Sequence, residues 1–166
     1  ADADSGATAV TVDMVQNLPG RNITSIAVDP NNNDRVLVTC GNYGNSNYVY
    51  YSSNATSSTA NFLVKDGNLG NFPVYAATFD KGNSAYAIIG TEFGIFSTEN
   101  INMASPQWGA DNSGLARVPV FTLKQYRTNK SSTADMSVEE GDIFAGTFGR
   151  GAFQTTSEHR PRMKKC

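Results

Sequence analysis

The chain has 166 residues, 17% of them charged and 39% hydrophobic, with a formal net charge of -2. That length supports one domain with its own core, and the composition is that of neither a disordered nor a membrane-spanning chain. No apolar run approaches the roughly 18–20 residues a spanning helix needs, and the charge gives no basis for a nucleic-acid partner. Gly, Asn, Ser and Thr are abundant while Leu and Glu are scarce, which favours strands and turns over helices.

In chain order, residues 1–9 read as a flexible lead-in, residues 10–156 as the folded repeats and residues 157–166 as a basic, solvated tail. Val10–Val15 alternates apolar and polar residues and suits a half-buried strand. Ile23–Val28 is a second strand, closed by the turn Asp29-Pro30-Asn31-Asn32-Asn33-Asp34. Val36–Cys40 follows, then the glycine turn Gly41-Asn42-Tyr43-Gly44 and a tyrosine-rich strand, Tyr48–Ser52. Phe62-Leu63-Val64 is short. The cycle restarts with strands at 74–79, 85–89 and 95–98, a short piece at Gln107-Trp108 and a turn over 109–114. It restarts again at 118–125, and a polar insertion, Arg127–Gly141, precedes strands at 142–145 and 152–155.

The order repeats. Leu18, Leu69 and Leu115 correspond, 51 and then 46 residues apart, each four residues before Asn22, Pro73 or Pro119, which open the next strand. Thr11, Phe62 and Trp108 lie seven residues before those leucines, and Gly41, Gly90 and Gly146 align in the glycine turns. Four short strands in a period in the high forties predict β-propeller blades. The fold expected is all-β, a propeller segment of about three four-stranded blades. Rings close with about 4 to 8 blades, so the segment is expected within a larger ring, or in an assembly where strand 11–15 completes a neighbour's last blade.

The units Ser25-Ile26-Ala27-Val28-Asp29-Pro30-Asn31-Asn32 and Ile143–Phe153 resemble BNR/sialidase-like propellers, more particularly the sortilin-type and photosystem-assembly-factor-type members. The resemblance covers roughly residues 10–156 and implies a secreted or cell-surface repeat protein. The Asp-box hairpin of that family is eroded. Ser52-Ser53-Asn54-Ala55-Thr56 and Ser97-Thr98-Glu99-Asn100 stand at its place without the aspartate, the glycine or a well-placed tryptophan.

Chemistry is sparse. Sialidase-type hydrolysis needs clustered arginines, a tyrosine nucleophile and an acid, and most glycosidases need paired carboxylates. Arg21, Arg35, Arg117, Arg127, Arg150, Arg160 and Arg162 fall on different loops, and Glu92 and Asp142 are the carboxylates that could face the hub. His159 is the only histidine and lies in the tail, which rules out a histidine metal cluster and disfavours a histidine-based triad. The 29–34 turn has the oxygens of a calcium loop but neither the spacing nor the closing glutamate. The glycine stretch 146–151 lacks the lysine and helix of a phosphate loop. Of the two cysteines, Cys40 ends an apolar strand and reads as a buried thiol.

Aromatic residues carry the better binding signal. Tyr43, Tyr48, Tyr50 and Tyr51 cluster, and alternation puts Tyr48 and Tyr50 on one face; blade packing competes for the same rings, as Phe96 and Phe153 at the matching strand indicate. The expected contacts are Tyr43, Tyr48, Tyr50 and Arg150, with residues 127–141 as a partner-facing loop. The reading is a non-catalytic binding or scaffolding segment without catalytic residues, metal or cofactor. Its partners would be the remaining blades or another protein subunit, or a glycan. The alternative is a fragment of a propeller glycoside hydrolase, sialidase- or xyloglucanase-like, whose catalytic residues lie elsewhere.

Overall fold

Runs of β-branched and aromatic residues broken by Gly, Asn and Asp leave the backbone short, strongly paired strands. The computed structural model describes residue 18 and residues 21–44, 46–126 and 141–155, and among them there are eleven strands and no helix. The first sheet holds β1 (Ile23–Asp29), β2 (Asn32–Cys40), β3 (Val49–Ser52) and β4 (Leu63–Val64), in that order. The second holds β5 (Val74–Phe79), β6 (Ala87–Thr91), β7 (Gly94–Thr98) and β8 (Gly109–Ala110). The third holds β9 (Val120–Gln125), β10 (Ile143–Thr147) and β11 (Gly151–Thr155). All pairings are antiparallel meanders.

The first strands adjoin across the sheets: β1 packs on β5, and β5 on β9. The sheets therefore fan from a shared inner edge as three propeller blades, with a core between each pair instead of one core between two layers. Leu37, Val49 and Tyr51 of blade 1 meet Ala77, Phe79, Ala87, Ile89 and Trp108 of blade 2. Ile88 and Ile95 of blade 2 meet Val120, Leu123, Ile143 and Ala145 of blade 3. A third cluster, with Val36, Val38, Cys40, Tyr50 and Phe62, covers the other face of blade 1.

Several details depart from the sequence reading. The 29–34 turn is tighter than expected, because β2 begins at Asn32 and leaves only Pro30-Asn31 between strands. Gly109 and Ala110 pair with Ser97 and Phe96 instead of turning. Gly41 is not the partner of Gly90 and Gly146: pairing with Ser25, Ala76 and Thr122 makes Thr39, Gly90 and Gly146 equivalent. Gly41 matches Glu92 and Phe148, whose amides likewise donate to the carbonyl just before the first strand, those of Asn22, Pro73 and Pro119. Val10–Val15, Thr11, the insertion 127–140 and the tail from 156 lie outside the described residues.

A repeated clamp ties the outer half of blades 1 and 2 to the middle of each. Asp66, two residues after β4, accepts the amides of Tyr48 and Val49 at 2.8–2.9 Å, and Asn112, two after β8, accepts that of Ile95 at 2.8 Å. Three hydrogen bonds and the Arg21 charge favour ionised Asp66, but burial outweighs them, and its pKa is raised from the ordinary 3.8. A carboxyl whose folded value exceeds its unfolded one contributes most below the unfolded value and loses that contribution as pH rises through the folded one. Asp66→Asn, which copies blade 2, keeps an acceptor and removes the charge. Urea midpoints compared between about pH 3 and pH 6 should therefore shift in favour of the variant as pH rises.

The blades also meet closely. A Cβ on Gly90 would lie 2.7 Å from the Val120 carbonyl oxygen, whereas one on Gly109 would meet nothing within 4 Å. Gly90→Ala should lower the unfolding free energy by about 1–3 kcal/mol through overpacking. Gly109→Ala should change it by no more than about 0.5 kcal/mol in the same denaturation experiment.

Candidate functional site

Each blade's first strand carries a β-bulge near its start, between Ile23 and Ser25, Val74 and Ala76, and Val120 and Thr122. A bulge leaves one residue out of the ladder and re-aims its side chain. Those residues are Thr24, Tyr75 and Phe121. In every blade the bulge residue stands beside the residue just after the second strand. Thr24 Cγ2 leaves no room for a Cβ on Gly41. The Tyr75 hydroxyl donates to Glu92 Oε2 at 2.5 Å. Phe121 meets Phe148 edge-to-face, 6.0 Å between ring centres.

The row is continuous across two blades and reaches the third. Tyr75 and Phe121 stack edge-to-face at 4.8 Å, and Glu92 also hydrogen-bonds Tyr43 of blade 1. Beside it Phe93 packs edge-to-face on Phe72 at 5.2 Å, and Phe72 lies 5.7 Å from Phe96. Tyr43, Phe93, Phe121 and Phe148 are 60, 46, 48 and 67% exposed, which makes this rim an aromatic platform and not a core. The Tyr75 phenol is pushed up, first by burial and then by the hydrogen bond and charge of Glu92. Tyr43 is raised from its ordinary 10.0 by desolvation and then by Glu92.

The sequence-predicted residues separate. Tyr43 joins the platform. Tyr48 and Tyr50 are buried and not on one face: Tyr48 packs between blades 1 and 2, Tyr50 on the far side of blade 1. Asn47, at φ 67°, and the Asp66 clamp rotate Tyr48 out of the alternation, since it lies just before β3. The Tyr48 ring lies 4.6 Å from the Arg21 guanidinium, which donates to the carbonyls of Gly41, Ser46 and Asn47 and so fastens the loop. Arg150 is exposed in the turn before β11.

The carboxylates that could have shared the hub do not meet. Glu92 follows β6 at the platform end. Asp142 precedes β10, is 2% exposed, and accepts from Gln154 Nε2 at 2.9 Å. The first accompanies the end of a second strand and the other the start of one, so they lie at opposite ends of their blades. Among the described residues no three His, Cys, Asp or Glu side chains group to hold a metal. In the 29–34 turn Asp29 accepts the Asn31 amide, and Asp34 accepts from the Thr56 hydroxyl. Cys40 is a buried free thiol raised by desolvation.

Sequence reasoning missed Tyr75, Phe121, Phe148 and Phe93, which stand singly in the chain. Their signal was positional: Tyr75 and Phe121 occupy one repeat position, one residue after the strand opens.

No protein-family description matches the chain, and no curated protein matches it. Among solved structures it is similar to the GH74 enzyme of Niastella koreensis, at 14% identity and a TM-score of 0.54, covering 81% of this chain and 21% of that one. It is similar to an ancestral GH74 enzyme at 17% and 0.50, covering 82% and 17%. A GH74 xyloglucanase from Xanthomonas campestris aligns at 14% and 0.48, covering 81% and 22%. The likeness is one of fold, and the chain spans about a fifth of each of those proteins.

The Tyr75–Glu92 contact makes a spectroscopic prediction. In an ultraviolet titration several phenols should ionise above the ordinary tyrosine range, Tyr75 among them, and Glu92→Gln should move those of Tyr75 and Tyr43 back towards that range. Removing the charge removes part of the cost of the phenolate.

Proposed function

We propose that these three blades belong to a larger propeller protein that binds a neutral glycan, and that they contribute a sugar-binding floor within a glycoside hydrolase. The observation that carries the reading is the rim of Tyr43, Phe121 and Phe148, all three exposed, around the half-buried Tyr75, with Tyr75 and Phe121 on equivalent bulges. Exposed rings set edge-to-face along the rim offer apolar surface to sugar rings, and Glu92 offers an acceptor for hydroxyls. The fold likeness to GH74 enzymes supports the same reading. The catalytic carboxylate pair lies on blades outside this chain in this reading, and the chain's own part is binding, as the sequence indicated. A protein that acts on such polymers would work outside the cell.

Affinity electrophoresis through gels holding xyloglucan, unbranched β-glucan or a sialylated glycoprotein tests the proposal. Retardation is expected with a neutral β-glucan and not with the sialylated matrix. Each exposed ring contributes about 0.5–1.5 kcal/mol, so Phe121→Ala with Phe148→Ala should weaken retention roughly tenfold. Phe121 is about half exposed and Phe148 more so, and the double variant should melt close to the parent. Absence of retention by every matrix, or unchanged retention of the double variant, would refute the reading.

A further inference from the structure

We propose, resting on the sugar-binding reading above, that Glu92 sets the charge of what the aromatic rim accepts. The rim takes an uncharged β-glucan and refuses a polymer of the same backbone that carries carboxylates.

The internal repeat shows that the fold does not need this carboxylate. Gly41, Glu92 and Phe148 occupy one position in the three blades, and the amide of each donates to the carbonyl just before its first strand, at 3.0, 3.2 and 2.9 Å. That backbone bond is common to all three. The side chain is missing in blade 1 and is an apolar ring in blade 3. A blade forms around glycine or phenylalanine here, so the charge of Glu92 is an addition to the architecture and not a condition of it.

That charge is held in place. The Glu92 amide is anchored on the Pro73 carbonyl, and the Tyr75 hydroxyl donates to Oε2 at 2.5 Å. Tyr43 reaches Glu92 from blade 1, so the carboxylate stands at the junction of two blades. Glu92 is half-buried beside these tyrosines, with the exposed Phe93 next in the chain. A half-buried charge among rings is screened less than one in open water, and a ligand lying over it feels its field more strongly. Both phenols register that field. Burial comes first in raising them, and the hydrogen bond and charge of Glu92 come next.

A carboxylate fixed in this way discriminates by sign. Sugar hydroxyls donate to it in charge-assisted hydrogen bonds. A ligand carboxylate has no proton to donate and meets a like charge, which acts as a repulsive element against that ligand. Arg117 and Arg150 belong to blade 3, one just before Pro119 and the other in the turn with Phe148. The refusal therefore belongs to the junction of blades 1 and 2 and not to the whole rim.

Affinity electrophoresis of the full 166-residue chain compares hydroxyethyl cellulose, which is neutral, with carboxymethyl cellulose, which carries carboxylates on the same backbone. The net charge of -2 disfavours any anionic gel. Glu99→Gln is therefore the control: it removes one charge at an exposed position just past β7, at the end of that strand away from the rim. The parent should prefer the neutral gel roughly tenfold in apparent affinity. Glu92→Gln keeps an acceptor for both phenols and should cut that preference about fivefold, whereas Glu99→Gln should leave it within about twofold. Should Glu92→Gln not fold, Glu92→Gly, which copies blade 1, supplies the same comparison. A parent that the neutral gel does not retain refutes the sugar-binding reading and this proposal with it. A parent retained by the neutral gel overturns this proposal alone if it binds both gels equally, if Glu92→Gln leaves its preference intact, or if Glu99→Gln reduces it as far.

Discussion

Everything in this structure depends on how closely consecutive inner strands approach. The Thr24 hydroxyl donates to the Val74 carbonyl at 2.5 Å, one blade to the next, and the Ala77 amide donates to Ser25 Oγ at 3.3 Å. At the following junction Gly90 of β6, having no side chain, lets the Val120 carbonyl and side chain come in directly. Strands held this near must fan outwards, because each sheet twists and its outer strands need room for side chains on both faces. The two cores follow from that divergence. Small residues such as Ala76 and Ala77 sit near the inner edge, while Trp108, Phe96 and Tyr51 fill the wider gap further out. A blade of four short strands has two apolar faces, and neither is covered until a neighbour is present.

The same geometry couples packing to the candidate site. A meander pinned at its inner edge accommodates the sheet's twist with a bulge, and the bulge recurs at one place in all three blades. The residue it expels cannot reach either inter-blade core and stands at the rim instead. In blade 1 that residue is Thr24, spent on the neighbouring strand. In blades 2 and 3 it is an aromatic. A structural device thus becomes a row of presented side chains whose spacing is set by the blades, not by flexible loops. Rim contacts at the other end, Asn31 Nδ2 to the Lys81 carbonyl and Arg35 to the Ser84 carbonyl, hold the blades at a fixed angle and so fix the row.

Much of the architecture was legible because blade packing writes a strong pattern. Leu18, Leu69 and Leu115 repeat, and each packs against an inter-blade or blade-face core. The order of strands within each unit followed from glycines and Asx turns. Legibility failed where geometry is not periodic. A one-residue bulge shifts register without changing composition, so aligning glycines matched Gly41 with Gly90 where Thr39 belongs. The tyrosine cluster of 43–51 drew attention by density, yet inter-blade packing claimed Tyr48 and Tyr50. Side-chain clamps such as Asp66 were invisible for the same reason: their partners lie seventeen and eighteen residues away in a strand whose start is irregular.

The position of the charges argues further about what such a segment does. A glycosidase centre holds two carboxyl groups about 5–10 Å apart across the sugar. Here Asp29, Asp80 and Asp142 are buried at the end of the blades opposite the platform. Asp29 and Asp80 close turns by accepting the amides of Asn31 and Gly82, and Asp142 holds Gln154. Glu92 at the platform is engaged by Tyr75 and Tyr43. Its oxygens serve there as acceptors for hydroxyls. On the reading proposed above the rim of these three blades binds, and a reaction along it would take its acid and base from outside the described residues.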